Sequence, residues 1–267
     1  MYAGFITHKH SSQWLGAHQK CDRVAYRMLA PHIDDQKFPS IKMIQKFEGP
    51  NGPDGIKVKS PSQNEPWHYY DPLDDDDTQL VELLENHIQW LATAIKKQTL
   101  ERAAFEAGWL AHGIVDGLTP AHHYPYESEV KKIFGKDHTE RTTKAGKIIA
   151  KGDNKIDFLK RNWKVWGNKG LMTTHHGFEI GVATIILPRH FGKMAVSEEW
   201  LDERLQDPFS QTFHKSARKV AKYHMYERFY RHGWGTALAN DVRKVLMPTI
   251  FNSITEAWFR AYKESEK

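Results

Sequence analysis

The residues best suited to chemistry in this sequence are histidines that precede acidic residues by four positions. The chain has 267 residues, of which 16 are histidine. His112 precedes Asp116 by four positions, and His175 precedes Glu179 in the same way. Residues four apart on a helix project to the same side, and imidazole nitrogen and carboxylate oxygen are both zinc ligands. A single pair has little specificity in so histidine-rich a chain, but two pairs on helices predict a metal site.

Further candidate ligands lie around these pairs. His122 follows Asp116 by six residues, after Pro120 has ended the helix. His68 lies in the aromatic, proline-bounded segment PWHYYDP, and Asp54 lies in NGPDG. His18 lies on the first predicted helix. The sequence therefore offers eight candidate ligands: His18, Asp54, His68, His112, Asp116, His122, His175 and Glu179. His123 and His176 adjoin two of these, so a shift by one residue is the alternative at each place.

Taken in order, these residues resemble the metal site of the zinc-dependent phospholipase C family and, equally, that of the related zinc-dependent nucleases specific for single strands. The resemblance covers the chain from about Trp14 to Leu187. Its most specific part is the run His-xxx-Asp-xxxxx-His, followed downstream by His-xxx-Glu. Members of both families are helical bundles that hold three zinc ions in a cleft, so the resemblance implies Zn²⁺ as the cofactor, with two to three ions.

The resemblance also implies a role for each candidate ligand. One zinc would be held by His68, His112 and Asp116, and a second by His122, His175 and Glu179. Asp116 would bridge from the first zinc to a third, which His18 also binds. Asp54 would be a general base, as in the phospholipases, or a further zinc ligand, as in the nucleases.

The N-terminus departs from this family pattern. In both families the amine and carbonyl of an N-terminal Trp bind the third zinc, whereas here thirteen residues precede Trp14. His8, His10 or the Met1 amine could replace that ligand, or the third site could be empty.

The implied activity is zinc-dependent hydrolysis of phosphate esters. Clustered zinc ions neutralise phosphate oxygens and lower the pKa of bound water toward about 7, and the hydroxide so formed would attack phosphorus. Asp54 would orient that water or take its proton. Glu179 favours a phospholipase C-like phosphodiesterase, because the nucleases have Asp at that place. The alternatives are a nuclease or nucleotidase of the same superfamily and a non-catalytic, zinc-binding helical protein.

Apolar residues at helical spacing predict an all-α fold, with the whole chain, 1–267, as a single bundle-like domain. The predicted helices are 13–29, 79–97, 100–118, 156–166, 171–187, 209–231 and 237–264. Pro248 should kink the last one or begin a new helix. Prolines and glycines between 48 and 77 predict a long loop.

Composition leaves the substrate open between a phospholipid and a nucleic acid. The net charge of +5 is compatible with an anionic substrate. Trp67, Tyr69 and Tyr70 could stack on a base or enclose a quaternary ammonium group, or simply pack in the core. The lysine-rich stretch 131–169 could attract a phosphorylated polymer or the surface of an anionic membrane, or be only a solvated surface. Gly55 and Glu65 stand where the choline pocket of the phospholipases would call for aromatic residues.

The remaining features concern location. Cys21 is the only cysteine, so an internal disulfide is excluded. No apolar run approaches the length of a transmembrane segment. The first residues lack the pattern of a signal peptide, so we expect a cytoplasmic protein, or a secreted one if an export segment has been removed.

Overall fold

Helices make up all the regular structure of the described chain, which confirms the predicted all-α class. The computed structural model describes residues 1, 16–59, 69–123, 126–137 and 140–267. Its α-helices are α1 (Ala17–Leu29), α2 (Ile41–Ile44), α3 (Pro53–Lys59), α4 (Gln79–Lys96), α5 (Leu100–Leu118), α6 (Tyr126–Phe134), α7 (Lys144–Ile148), α8 (Lys155–Trp166), α9 (Leu171–Ile186), α10 (Glu198–Gln206), α11 (Phe209–Ala221), α12 (Met225–His232), α13 (Thr236–Asp241) and α14 (Met247–Ser265). None of these described helices combines the length and the apolar character that a bilayer crossing requires.

Helix α14 lies at the centre of the bundle and packs against α1, α4 and α5. Its apolar side chains are buried, and the indole Nε1 of the fully buried Trp258 donates to the carbonyl of Ala107 at 3.0 Å. A buried indole that keeps its hydrogen bond avoids the cost of desolvating a polar group. The contact therefore fixes α14 against α5, the helix that carries His112 and Asp116.

Two glycines let α4 approach α5 on the side away from the ligands. A Cβ at Gly113 would lie 2.7 Å from the side chain of Leu84, and one at Gly117 would lie 2.4 Å from Leu80 and 2.9 Å from Phe213. Those distances are far below van der Waals contact, so a larger side chain would force the ends of these Leu and Phe side chains to move. The position of α5 is thus set by close packing behind its ligand face.

A third glycine fixes α9, the helix of His175 and Glu179. The ring of Trp234 stacks on Phe178 with 5.4 Å between centroids, and its Nε1 lies 1.9 Å from where a Cβ of Gly181 would be. Trp234, between α12 and α13, therefore packs closely against α9, and this contact requires glycine at position 181.

Two predicted boundaries were wrong, and one predicted helix was confirmed. Residues 48–77 are not one long loop, because a 3₁₀ turn at Gly49–Asn51 leads into α3, with Pro53 in its first turn, a position where proline loses no helical hydrogen bond. The predicted helix 209–231 breaks between α11 and α12, where His224 has a φ of 47°. The predicted helix 237–264 is confirmed as one uninterrupted helical run, in which a π-helical turn at Val242–Leu246 joins α13 to α14 and directly precedes Pro248.

Candidate metal centre

Helix α5 brings His112 and Asp116 to one buried point. Both residues are 1 % exposed, and Nε2 of His112 lies 3.3 Å from Oδ2 of Asp116. Oδ2 of Asp54, from the first turn of α3, lies 3.8 Å from the same nitrogen. His112, Asp116 and Asp54 therefore form a group that is positioned to hold a metal ion.

A second group lies on the other side of Asp116. His122, from the 3₁₀ turn after α5, and His175, from α9, both direct Nε2 at Oε1 of Glu179, at 2.9 and 3.1 Å. The ligand atoms of His122, His175 and Glu179 lie within 4.8 Å of one another. Nε2 of His122 is also 3.8 Å from Oδ1 of Asp116. The second group is therefore also positioned to hold an ion and is adjacent to the first.

His18 and Met1 complete the cluster between these two groups. The His18 ring stacks on His112 with 3.9 Å between centroids, and its Nε2 lies 3.3 Å from Oδ1 of Asp116. The same nitrogen is 2.7 Å from the carbonyl oxygen of Met1. The ammonium of Met1 contacts Oδ1 of Asp116 and lies 3.1 Å from Oε1 of Glu179. Asp116 thus directs one oxygen toward His112 and the other toward His18 and Met1.

The charges of the cluster favour a cation at its centre. Burial lowers the pKa of the Met1 ammonium, but Asp116 and Glu179 outweigh this effect and raise it to about 11. Burial would raise the pKa of both carboxyls, yet the Met1 ammonium and the surrounding imidazoles hold it well below the usual range. Two ionised, buried carboxylates therefore surround the Met1 ammonium.

His122 of the second group and His112 of the first differ in protonation. Burial lowers the pKa of His122 to about 4, so this imidazole is neutral at pH 7. Burial acts in the same direction on His112, but the nearby Glu48 and Asp116 raise the pKa of His112 well above its usual value. A metal at the second group would thus bind an already neutral His122, whereas one at the first group would displace a proton from His112.

Two buried carboxylates beneath the cluster were missed in the sequence. Nδ1 of His112 donates to Oε2 of Glu48 at 3.2 Å, and Glu48 is fully buried. Asp22 is also fully buried, and burial and the charge of Glu48 raise its pKa well above the usual value. Asp22 stands four residues after His18, the spacing that identified the other pairs. Glu48 carried no comparable signal, because its proximity to His112 arises only in the tertiary structure.

The neighbouring histidines occupy different environments. Nε2 of His123 donates to the carbonyl of Gly117 at 2.9 Å, away from the cluster. The ring of His176 lies 6.2 Å from Trp166. Tyr69 stacks on His122 with 5.2 Å between centroids. The structure thus brings His122 and His175, rather than His123 and His176, into the cluster.

Seven of the eight candidate ligands meet in this cluster: His18, Asp54, His112, Asp116, His122, His175 and Glu179. His68, together with His8, His10, Trp14 and Trp67, lies outside the described residues, so its ligand role stays a prediction. Comparison of the chain with models of known protein families, with curated proteins and with solved structures gave no match.

Proposed function

We propose that this protein is a zinc-dependent hydrolase of phosphate esters whose metal ions lie between α1, α3, α5 and α9. The observation that carries the proposal is the position of Asp116. One oxygen of this buried carboxylate faces His112, and the other faces His18 and Met1. A carboxylate shared in this way suits two metal ions that lie close together, the arrangement that enzymes use to hold both oxygens of a phosphoryl transfer.

The donor atoms fit zinc. Zinc takes imidazole nitrogen and carboxylate oxygen, usually four ligands in all, and catalytic sites leave one place open. Each group offers three such atoms from described residues. Nε2 of His112 is directed at Asp116 at 3.3 Å and at Asp54 at 3.8 Å, so all three donor atoms of the first group converge on one point. His112, Asp116 and Asp54 would hold one ion, and His122, His175 and Glu179 a second.

A third ion would be bound by the Met1 amine and carbonyl together with His18 and Asp116. The Met1 ammonium is a cation in contact with Asp116 and near Glu179, so these carboxylates already accommodate positive charge. The amine must lose its proton to bind a metal, and its pKa of about 11 opposes that loss. This ion would therefore be the weakest of the three.

The residues of the chain provide positioning and proton transfer. Bound zinc would neutralise phosphate oxygens and lower the pKa of a water molecule toward about 7. The side chain of Asp54 is 34 % exposed, unlike those of His112 and Asp116, so it lies where the cluster meets solvent. Its carboxylate can accept a proton from an attacking water and orient that water toward phosphorus. Tyr69 restrains the ring of His122 by stacking.

The phospholipase C-like branch is favoured over the nuclease branch by Glu179, which approaches both His122 and His175 with the same oxygen. A nuclease of the same superfamily remains the second candidate, because Asp54 lies 3.8 Å from His112 and could equally be a ligand. A non-catalytic zinc protein is the third, and it requires four protein ligands at each ion.

The first test measures metal and activity on the same preparation. The protein is purified without chelator, its zinc is counted by elemental analysis, and bis(p-nitrophenyl) phosphate and p-nitrophenyl phosphate serve as a diester and a monoester. We expect two to three zinc ions per chain and hydrolysis of the diester. Asp116→Ala should lose the most metal, whereas the control Asp202→Ala removes an exposed carboxylate of α10 and should change neither quantity.

Two results would reject the proposal. A preparation with no bound transition metal, and with a thermal midpoint indifferent to chelator, would remove its basis. Bound zinc without hydrolysis of either ester would instead favour the non-catalytic alternative.

A further inference from the structure

Helix α8 exposes large apolar side chains on its outward face. Ile156, Leu159 and Trp163 are 66, 65 and 67 % exposed, and at 3.6 residues per turn they lie on one side of the helix with Trp166. We call these four residues the α8 face. Val165, on the opposite side, is buried in the protein. A surface helix usually turns only one apolar stripe inward, so a second, outward apolar face is unusual.

The apolar exposure is concentrated around this helix. Seven of the thirteen large hydrophobic residues that are exposed in the described chain lie between 148 and 166. Trp166 donates from Nε1 to the carbonyl of Ile148 at 2.8 Å, which joins Ile148 and Ile149 to the α8 face. Isolated exposed apolar residues are ordinary on protein surfaces, whereas a contiguous patch marks a contact site.

Positive charge surrounds the same patch. Residues 144–169 contain seven lysines and one arginine against two aspartates, a net charge of +6, while the whole chain carries +5. Lys160 and Lys164 flank the α8 face on one side and Lys155 on the other, and all three are exposed. An apolar strip bordered by lysines is the pattern of helices that lie in the interface of anionic membranes.

A cavity of about 740 Å³ opens beside the α8 face. Trp163 and Lys164 line it from α8, and Tyr230 and Arg231 line it from α12. Lys169 also lines it and lies over the Tyr230 ring at 5.2 Å from the centroid. The acidic residues of the lining are Glu227 and Glu129, and Glu129 pairs with Lys132. Basic side chains thus exceed acidic ones, and aromatic rings form part of the wall, which suits an anionic headgroup.

The patch adjoins the candidate metal centre. The ring of Trp166 lies 6.2 Å from His176, whose ring lies 5.9 Å from that of His175. The hydroxyl of Thr173, in the first turn of α9, donates to the carbonyl of Trp166 at 2.9 Å. A surface bound at α8 would therefore lie close to the metal-binding end of α9.

We propose that the α8 face and the cavity beside it bind the surface of a membrane containing anionic phospholipids. This inference rests on the proposed function in one respect, since it makes the phosphate ester a lipid presented at that surface. Aliphatic Ile156 and Leu159 suit acyl chains and offer a nucleobase no ring to stack on, while Trp163 and Trp166 suit the interface between headgroups and acyl chains. A second copy of the chain is disfavoured, because a two-fold interface would bring two segments of net charge +6 together.

The test uses the full chain and sedimentation with vesicles. One set of vesicles is phosphatidylcholine alone, and the other contains phosphatidylserine as well. We expect binding to the second set that weakens as salt is raised. The double variant Leu159→Glu/Trp163→Glu should lose about tenfold or more of this binding, because two apolar side chains no longer enter the interface. Leu73→Glu is the matched control, since Leu73 is 77 % exposed and lies outside the patch.

Each outcome supports or rejects membrane binding by the α8 face. Failure of the unmodified protein to sediment with anionic vesicles would overturn the inference, as would equal binding by the double variant. The unmodified protein could instead bind single-stranded DNA or dimerise without binding vesicles. If the double variant then lost that DNA binding or that dimer, the patch would belong to a nucleic acid or to a second copy of the chain. Hydrolysis of soluble bis(p-nitrophenyl) phosphate should be equal in all three proteins. Vesicle binding without any such hydrolysis would support the membrane surface and reject only the proposed function.

Discussion

Nδ1 of His112 donates to Oε2 of Glu48 at 3.2 Å, in a place where both side chains are buried. This contact leaves Nε2 of His112 directed at Asp116 and Asp54. A carboxylate behind a ligating histidine fixes the orientation of the ring and raises its basicity. Glu48 is therefore expected to control metal affinity through the ring of His112, although with His18 and His112 it also forms a group positioned to hold an ion itself.

Glu48→Gln should lower zinc affinity by about ten- to a hundredfold, the usual effect of losing such a partner. Affinity is measured by competition with a chromophoric chelator. Glu106→Gln is the matched control, because Glu106 is equally buried and pairs with a histidine, His87, at 2.5 Å. The control should lose stability and keep its zinc affinity, and equal zinc affinity in both variants would show that Glu48 is only structural.

Adjacent histidines should respond differently to removal. His122→Ala should release about one zinc per chain, because His122 belongs to the second group of ligands. His123→Ala should keep all of its zinc and lose only the hydrogen bond to Gly117. Elemental analysis of both variants checks this prediction, and an exchange of the two results would place the ligand one residue later.

Replacement of Asp54 separates a base from a ligand. If Asp54 is the base, Asp54→Asn should retain zinc while diester hydrolysis falls by about two to four orders of magnitude, the usual contribution of general base catalysis. If Asp54 is a ligand, zinc content should fall as well. Unchanged zinc and unchanged hydrolysis would leave Asp54 as an ordinary residue in the first turn of α3.

Extending the chain before Met1 should affect only the third ion. Two added residues would convert the Met1 amine into an amide, which is a poor metal ligand, and would place extra chain against Asp116. We expect loss of up to one zinc per chain relative to the same extension at Lys267, measured by elemental analysis. Equal zinc in both proteins would exclude Met1 as a ligand.

The helices that carry the site were largely predictable from sequence, since their apolar residues repeat at helical spacing. In α4, for example, Leu80, Leu84, Ile88 and Leu91 are all buried, as their spacing predicts. The pairs in α5 and α9 were found for the same reason, because the four-residue spacing within one helix is a local property.

Features that depend on tertiary contacts could not be found in this way. Prolines and glycines between 48 and 55 favoured a loop, although Pro53 also suits the first turn of α3. The contact of Glu48 with His112 joins residues 64 positions apart, and no local pattern predicts it. Asp22 was detectable from its spacing to His18, but a buried carboxylate on an otherwise amphipathic helix resembles an ordinary polar position.

The separation of the ligands along the chain has a consequence for unfolding. Nε2 of His122 and Oε1 of Glu179 are 57 residues apart in sequence, and His18 lies still farther from Asp116. Ions held at these points would act as crosslinks that close long loops and restrict the unfolded ensemble, as disulfides do in a chain with many cysteines. The single cysteine of this chain cannot form such a link. Chelation should then change the cooperativity of unfolding as well as its midpoint, with α1 and α9 separating from α5 before the central α4–α14 packing is lost.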